Sequence, residues 1–549
     1  MTRLAYLFEA KGVQRYILSG GRLLDIAGGS ELLASAIRPD GGDLLDACLA
    51  VAGFQPDFSR RAGGVFMLHI DGKDRDSFDR FRAVWTLAFS LRMPGLEFAE
   101  ALAEADTDLA ARDRCYRPLS DNGARLLHLS AARENTAAAL LPVAGPFAER
   151  APRSGMPALD VLDDEPVDES TRARRKAARS QQGPGRWPAA DILLNDDQKK
   201  SYVWPVEMDA DEASDRNYAF PFNGREPEWI GLVHADVSGL GETFNALTNA
   251  TTDRGDAIEA SRQLSDAIEQ AIVEALRAAA AILLENAQPD RFGNSGDDKI
   301  IPARPVLVGG DDLTLIVRGD LALGFAERFL EAFEQLSAKR LKTLADTLKI
   351  PQIDRTLSAC AGVVFAKSRQ PFHQLLGLSE SLCSHAKKVV KAGLADGETP
   401  ASALAFHRIT TSHIDADYAD IIERELRAGK RLLTAQPYRV GSIKPRGAVA
   451  TFADLQGLSQ SLKSGQLGRG SLREIRTLVH NREADAQRIY ARWRQIGHRR
   501  HTKSLDNFSK ALETVLVSVD ADLPFGGEKA GRLKDATPLF DAMDMEAVE

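Results

Sequence analysis

Three acidic residues in the chain have the types and spacing of a divalent-cation site. Asp236 ends the apolar run WIGLVHAD, and Asp311 and Asp312 close a Gly-Gly-Asp-Asp sequence between two short apolar runs. Clustered carboxylates raise each other's pKa unless a cation lies between them. Two divalent ions about 3.5–4 Å apart can activate a ribose hydroxyl and stabilise a leaving pyrophosphate. The three acids are therefore predicted to be metal ligands and catalytic residues, with Mg²⁺ or Mn²⁺ as the ions.

Residues near these acids are candidates for binding a nucleotide. The candidates are Ser238, Gly239, Gly241, Gly309, Gly310 and Lys387. The glycine pair before the two aspartates permits a tight turn and close approach of substrate. The other two glycines are predicted to precede a helix near Glu242, whose N-terminal amides suit triphosphate oxygens. The serine either donates to phosphate or caps that helix, and the lysine is a point charge suited to a β- or γ-phosphate.

The elements that must position these residues follow the order β-α-β-β-α-β, the ferredoxin-like arrangement that polymerase palms and nucleotide cyclases share. Strands are predicted at 229–236, 304–308, 313–317, 356–365 and 401–406, and helices at 256–285, 321–342 and 371–390. Only four residues separate the second and third strands, so these two must form a hairpin. A Gly-Gly-Asp-Asp turn alone is a weak sign of catalysis, but in this context it favours a catalytic palm.

The N-terminal residues repeat this pattern in degenerate form. LFEAKG (7–12) aligns with VHADVSG (233–239), which sets Glu9 opposite Asp236. AGGVFMLHI (62–70) aligns with VGGDDLTLI (308–316), so Val65 and Phe66 replace the two aspartates. Apolar side chains cannot hold Mg²⁺, which takes oxygen ligands. The pattern predicts one catalytically empty palm and one competent palm, with chance similarity of two α/β segments as the alternative.

Composition sets the class of protein. The chain has 549 residues and a net charge of −8, which disfavours a surface that binds nucleic acid all over but permits local basic patches. Its four cysteines are not closely paired, which fits a reducing cytosol rather than a disulfide scaffold. The most apolar run, 278–284, is far shorter than the roughly 20 residues of a membrane span. A cytoplasmic protein without a membrane anchor is therefore expected.

The predicted fold class is α+β, with two ferredoxin-like palm domains, an irregular linker region and a C-terminal α-helical domain. The predicted domains are a degenerate palm at 1–144, a linker at 145–228, the competent palm at 229–410 and a helical domain at 411–549. Proline, glycine and dense charge of both signs predict irregular structure in the linker. The stretch after Leu533 has little packing potential and is expected to fray.

Several segments together resemble one family, the large palm-domain subunit of type III CRISPR effector complexes. The resemblance is carried by HADVSGLG (234–241), RPVLVGGDDLTLIV (304–317), LSACAGVVFAK (357–367), LCSHAKK (382–388) and QRYILSGGRLLDIAGGSELLASAI (14–37). It implies an enzyme that joins ATP into cyclic oligoadenylates when the complex senses foreign RNA. Asp236, Asp311 and Asp312 would then be metal ligands, and Lys387 a phosphate contact. ATP, guide or target RNA and other effector-complex subunits are the implied partners; the oligomeric state is left open.

The sequence departs from this family at three points. No His-Asp pair precedes the first palm, so the family's HD nuclease activity is not predicted. RAPRSGMPAL (150–159) resembles the family's zinc module without its cysteines, so no zinc is expected. Ser238 occupies a position that is often acidic or Asn, which leaves the metal count and the base preference open. A stand-alone defence cyclase is an alternative to a subunit of a full effector.

Two other functions compete with this interpretation. A diguanylate-cyclase-like enzyme would use GTP, but Leu313 stands where that family prefers an aromatic residue, and Leu307 stands where its product-inhibition motif has an acid. A non-enzymatic scaffold that binds RNA or partner subunits is the third candidate. Clustered, unpaired carboxylates would bring a scaffold no advantage, which argues against it.

The remaining motifs have both a structural and a functional interpretation. The basic run 172–179 is a solvated linker or an RNA contact, and RIYARWRQIGHRRHTK (488–503) is an amphipathic packing helix or an RNA contact with Tyr490 or Trp493 stacked on bases. Cys360, Cys383 and His385 could suggest a metal site. Buried thiols and a surface histidine are favoured there.

Overall fold

The computed structural model of the chain divides into two compact units. It describes residues 3–37, 44–62, 64–115, 125–129, 145, 147–179, 186–208, 218–222, 224, 228–251, 256–289, 298–309, 312–395, 397–411, 413–444, 449–464 and 466–548. The first unit comprises Met1–Phe222, Leu240–Ile316 and Leu336–Thr356. The second comprises Asn223–Gly239, Val317–Gln335 and Leu357–Glu549. The four domain bounds drawn from the sequence stay a prediction.

Helices and strands alternate through most of the described chain. The strands are β1 (Arg3–Lys11), β2 (Asp57–Ala62), β3 (Val65–Asp71), β4 (Glu97–Ala105), β5 (Arg125–Leu129), β6 (Asp160–Leu162), β7 (Glu165–Val167), β8 (Tyr202–Val203), β9 (Trp229–Ser238), β10 (Gln288–Pro289), β11 (Lys299–Ile300), β12 (Ala303–Gly309), β13 (Asp312–Arg318), β14 (Ser358–Lys367), β15 (Ser402–Arg408), β16 (Arg427–Ala428), β17 (Arg431–Leu432) and β18 (Tyr438–Val440). The helices are α1 (Val13–Leu18), α2 (Leu23–Ile37), α3 (Leu44–Ala52), α4 (Arg75–Arg92), α5 (Asp108–Cys115), α6 (Glu169–Arg179), α7 (Pro188–Asp191), α8 (Leu240–Thr251), α9 (Ala257–Glu285), α10 (Gly319–Leu348), α11 (Phe372–Lys391), α12 (Tyr418–Ile421), α13 (Phe452–Ser464), α14 (Arg469–Asn481), α15 (Glu483–Arg500), α16 (Thr502–Leu516) and α17 (Leu539–Val548).

In the first unit, the N-terminal residues form a five-stranded sheet with the order β2-β3-β1-β4-β5. Every neighbouring pair in this sheet is antiparallel. Without the edge strand β5, this is the strand order of a ferredoxin-like β-α-β-β-α-β fold. The α+β palm arrangement predicted for the N-terminal repeat is therefore confirmed.

The hairpin predicted around the Gly-Gly-Asp-Asp sequence requires its two strands to pair. These strands, β12 and β13, are neighbours in their sheet.

An aromatic cluster fills the core between the N-terminal sheet and α4. Phe8 stacks on Phe66 with 5.2 Å between ring centroids, and Trp85 packs edge-on against both rings. Phe66 is fully buried. In the sequence alignment Phe66 replaces one aspartate of the competent hairpin, so in this copy that position supplies core packing instead of an oxygen ligand.

The segment between the two palm patterns is more regular than its composition suggests. Its helix α6 packs on α2 so closely that a Cβ on Gly28 would lie 1.8 Å from the Arg174 carbonyl oxygen. Arg174 and Arg175 have 1% and 0% exposure. The expectations of a solvated linker or an RNA contact are therefore wrong for these two arginines, because α6 directs them into the protein.

In the second unit, β14 lies antiparallel to β9 and parallel to β15, and β18 adds to β15 in the antiparallel direction. Helix α11 packs over β9, β14 and β15. Its close approach requires Gly362, because a Cβ there would lie 2.0 Å from the carbonyl oxygen of Ser379. This packing fixes which residues of α11 face the end of β9.

The C-terminal residues pack instead of fraying. Leu539, Phe540 and Met545 of α17 are buried. Asp541 of the same helix is buried and accepts hydrogen bonds from four groups in 434–438, including the Tyr438 hydroxyl at 2.6 Å. The expectation of a frayed end after Leu533 is wrong. The buried apolar residues of α17 and the hydrogen bonds of Asp541 hold this helix against the rest of the unit.

Candidate active site

Asp236 and Lys387 form an ion pair in the second unit. Asp236 lies near the end of β9, opposite Cys360 of β14, and its side chain is 34% exposed. The Nζ atom of Lys387 also donates to the carbonyl oxygen of Val237 at 3.1 Å. The packing of α11 over the sheet thus brings together Asp236, which was predicted to be a metal ligand, and Lys387, which was predicted to contact phosphate.

The chain after Asp236 makes the turn that the sequence predicts. Gly239 has φ +92°, a left-handed conformation that favours glycine, and a Cβ there would approach Leu357 to 3.2 Å. Helix α8 begins at Leu240, so Gly241 lies in its first turn and not before a helix starting near Glu242. The Ser238 side chain is buried, and its Oγ has no hydrogen-bond partner in the described part of the chain.

The other acidic segment is described only in part. Gly309 ends β12 and Asp312 begins β13, whereas Gly310 and Asp311 lie outside the described residues. Within the first unit, Gln14 Nε2 donates to the Asp312 carboxylate at 3.4 Å. Gln14 lies in α1 and is 8% exposed. Sequence reasoning missed it, because nothing in QRYIL distinguishes this glutamine from a surface residue.

Two uncharged side chains, His234 and Cys360, lie beside Asp236 on β9 and β14. Burial lowers the pKa of His234 to about 4, with a further contribution from the charge of Lys387. Burial raises the pKa of Cys360 to about 12, and the Cys383 Sγ donates to the Cys360 carbonyl oxygen at 3.1 Å. The two thiols are buried as expected. His385 is half-buried against Tyr418 and not on the surface.

The chemistry of the donor set fits a hard divalent cation. Mg²⁺ and Mn²⁺ take carboxylate oxygens, which Asp236 of the second unit and Asp312 of the first unit each carry. Among the described residues, which leave out Asp311, no three His, Cys, Asp or Glu side chains are grouped as a metal site. The predicted roles of the three aspartates, the glycines and Lys387 therefore stay predictions.

Comparison with known proteins identifies the central segment. Residues 229–395 match the family model of the Cas10/Cmr2 second palm domain. This segment is therefore a palm domain of the Cas10/Cmr2 type, and the resemblance seen in the sequence is confirmed for it. No curated protein matches the chain.

Solved structures give weaker likenesses over the whole chain. A Csm1–Csm4 cassette in complex with cA4 has a TM-score of 0.47 and 14% identity, covering 100% of this chain and 69% of that chain. The cassette with one ATP has a TM-score of 0.46 and 12% identity with the same coverage of 100% and 69%. The Csm1–Csm4 subcomplex of the type III-A CRISPR-Csm interference complex has a TM-score of 0.46 and 13% identity, again covering 100% and 69%. These low scores add nothing to the family assignment.

Among the described helices, none is long and apolar enough to cross a membrane.

Proposed function

We propose that this protein is a metal-dependent nucleotidyltransferase that converts ATP into cyclic oligoadenylate-type second messengers in CRISPR-linked or related antiviral defence. The observation that carries the proposal is the second-palm match over residues 229–395, which contains all three aspartates and Lys387. The ion pair between Asp236 and Lys387 supports it, because it brings two of the predicted site residues together.

In the proposed mechanism, Asp236, Asp311 and Asp312 would hold the divalent cations through carboxylate oxygens. When bound, such ions would lower the pKa of an attacking ribose hydroxyl and stabilise the leaving pyrophosphate. Joining two nucleotides requires a donor and an acceptor together, so we assign the second nucleotide to the first palm, where Val65 and Phe66 replace the two aspartates. Chemistry is then confined to the second palm.

Lys387 has two successive tasks in this proposal. Without a nucleotide, its ammonium group neutralises Asp236 and is anchored to the Val237 carbonyl oxygen. Once Asp236 has another positive partner, this ammonium is free to bind triphosphate oxygens as a point charge. Lys387 thereby compensates the negative charge of the Asp236 carboxylate until substrate binds.

Synthesis from ATP tests the proposal directly. The protein is incubated with radiolabelled ATP and Mg²⁺ or Mn²⁺, with and without candidate RNA, and the products are separated by chromatography. We expect oligonucleotide products that Asp311→Ala with Asp312→Ala abolishes. Lys387→Met is expected to lower the rate well below that of Lys388→Met, a matched control at the exposed neighbouring position. No product under any condition, or synthesis that survives loss of both aspartates, would refute the proposal.

A non-enzymatic scaffold is the second candidate, because the structure weakens the sequence argument against it. Asp236 is paired with Lys387, so the argument that a scaffold would not keep an unpaired carboxylate does not apply to this residue. Calorimetry separates the two candidates, because the enzyme binds ATP with Mg²⁺ and a scaffold of this kind does not. Repeating the measurement with GTP tests the diguanylate-cyclase-like alternative.

A further inference from the structure

Helix α15 in the second unit presents two chemically opposite faces. Its buried face carries Ala486, Tyr490, Trp493 and Gly497 at spacings of four, three and four residues. Tyr490 stacks on Trp493 with 5.8 Å between centroids, and the Trp493 indole N–H donates to the Gly468 carbonyl oxygen at 2.9 Å. Both rings are used in packing, so neither is available to stack on a nucleic-acid base.

The outer face of α15 and the first turn of α16 are basic. We call this surface the basic face; its residues are Arg488, Arg492, Arg499, Arg500 and Lys503, all of them exposed. The first three follow one another at spacings of four and seven residues, which places them on one side of the helix. At a rise of 1.5 Å per residue, they extend over about 16 Å.

Most of these charges have no partner within the protein. Arg488 pairs with Asp485, but in the part of the chain that the structure describes Arg492, Arg499, Arg500 and Lys503 form no ion pair. The segment 486–504 contains six arginines and lysines and no acid. Because the whole chain has a net charge of −8, the rest of it carries −14. A polyanion would therefore be attracted to this segment and repelled by the average surface elsewhere.

We propose that the basic face binds the phosphodiester backbone of nucleic acid without reading its bases. Four of its five cations are arginines, whose planar guanidinium groups bind phosphate oxygens in bidentate geometry. An acidic protein surface is the less suitable occupant, because protein interfaces are centred on apolar and aromatic anchors. On α15 the exposed large apolar residue is Ile496 alone, at 44% exposure.

The size of the effect follows from the release of counterions. For single strands, each neutralised phosphate contributes about 0.7 to the slope of log affinity against log salt. Four contacts then give a slope of about −3, and at 0.15 M salt each lost contact weakens binding about 4-fold. Replacing Arg492, Arg499, Arg500 and Lys503 by glutamine is expected to weaken binding on the order of 200-fold.

Fluorescence anisotropy with labelled 20-nucleotide RNA and DNA single strands, at several salt concentrations and without ATP, tests the proposal. The matched control is Arg424→Gln with Arg427→Gln, which removes exposed arginines of the same unit that are already paired with Asp415 and Glu423. We expect the wild-type protein and the control to bind both strands with the salt slope given above. Circular dichroism verifies that the fourfold variant keeps its helices.

Three results would overturn the proposal: no binding by the wild-type protein at 50 mM salt, equal affinity of the fourfold variant and the control, or a preference of more than tenfold among base sequences. The inference does not rest on the proposed synthesis. Asp311→Ala with Asp312→Ala is expected to bind strands as the wild type does, so loss of synthesis and loss of strand binding are separable.

Discussion

Replacing Arg175 by alanine should destabilise the first unit severely. Its guanidinium is fully buried, donates from Nε and Nη2 to the Asp25 carboxylate at 3.0 and 3.1 Å, and reaches Glu165 at 3.0 Å. Asp25 is itself fully buried. Removing one member of a buried ion pair leaves an uncompensated charge, which costs about 3–5 kcal/mol. We expect a loss of this size in the free energy of unfolding.

Arg172, one turn earlier on α6, is the matched control. It is about one-third exposed and pairs with Glu169 within the helix. Partly exposed pairs of this kind contribute about 0.2–1 kcal/mol, so Arg172→Ala should be nearly neutral. Urea denaturation followed by tryptophan fluorescence measures both variants, and hydrogen exchange of the α2 and α6 amides locates the effect.

The double variant Arg175→Met with Asp25→Leu tests the cause. An apolar pair of similar volume removes both buried charges at once, so it should recover most of the stability that the single variant loses. If Arg175→Ala costs no more than Arg172→Ala, or if the double variant is as unstable as the single one, the buried charge is not what stabilises the contact of α6 with α2.

Three further predictions concern the second unit. Gly362→Ala should cost about 3 kcal/mol, seen as a lower urea midpoint, because the added methyl meets the Ser379 carbonyl oxygen at 2.0 Å. Burial raises the pKa of Asp541 to about 6, so the folded protein holds this proton between about pH 4 and pH 6, where an unfolded aspartate has released it. Its contribution to the free energy of unfolding should therefore fall as the pH rises through this range. Urea denaturation at about pH 4 and pH 6 measures this loss, and the loss should be smaller for Asp541→Asn than for the wild-type protein. Because burial raises the pKa of Cys360 to about 12, a thiol reagent at pH 8 should modify it only after unfolding; rapid modification of the folded protein would contradict this.

Local sequence pattern was sufficient to predict the elements that carry the candidate site. Apolar runs predicted β9 and β14 to within a few residues, because a buried strand needs continuous apolar side chains. The long periodic segment 256–285 is the helix α9, which begins one residue later. The ferredoxin-like order of the N-terminal elements was also visible in the sequence, since the repeat keeps its glycines where the backbone must turn.

What the sequence by itself determined is therefore the order of elements, the type of palm and the candidate acids. The partners of charged residues were decided only by the tertiary structure. Arg175 and Arg492 both lie in basic helical sequence, yet α6 buries the first against Asp25 while α15 exposes the second. The pairing of Asp236 with Lys387 likewise depends on how α11 crosses the sheet. Charge composition is a local property, whereas the burial and pairing of a charge depend on residues far away in the chain.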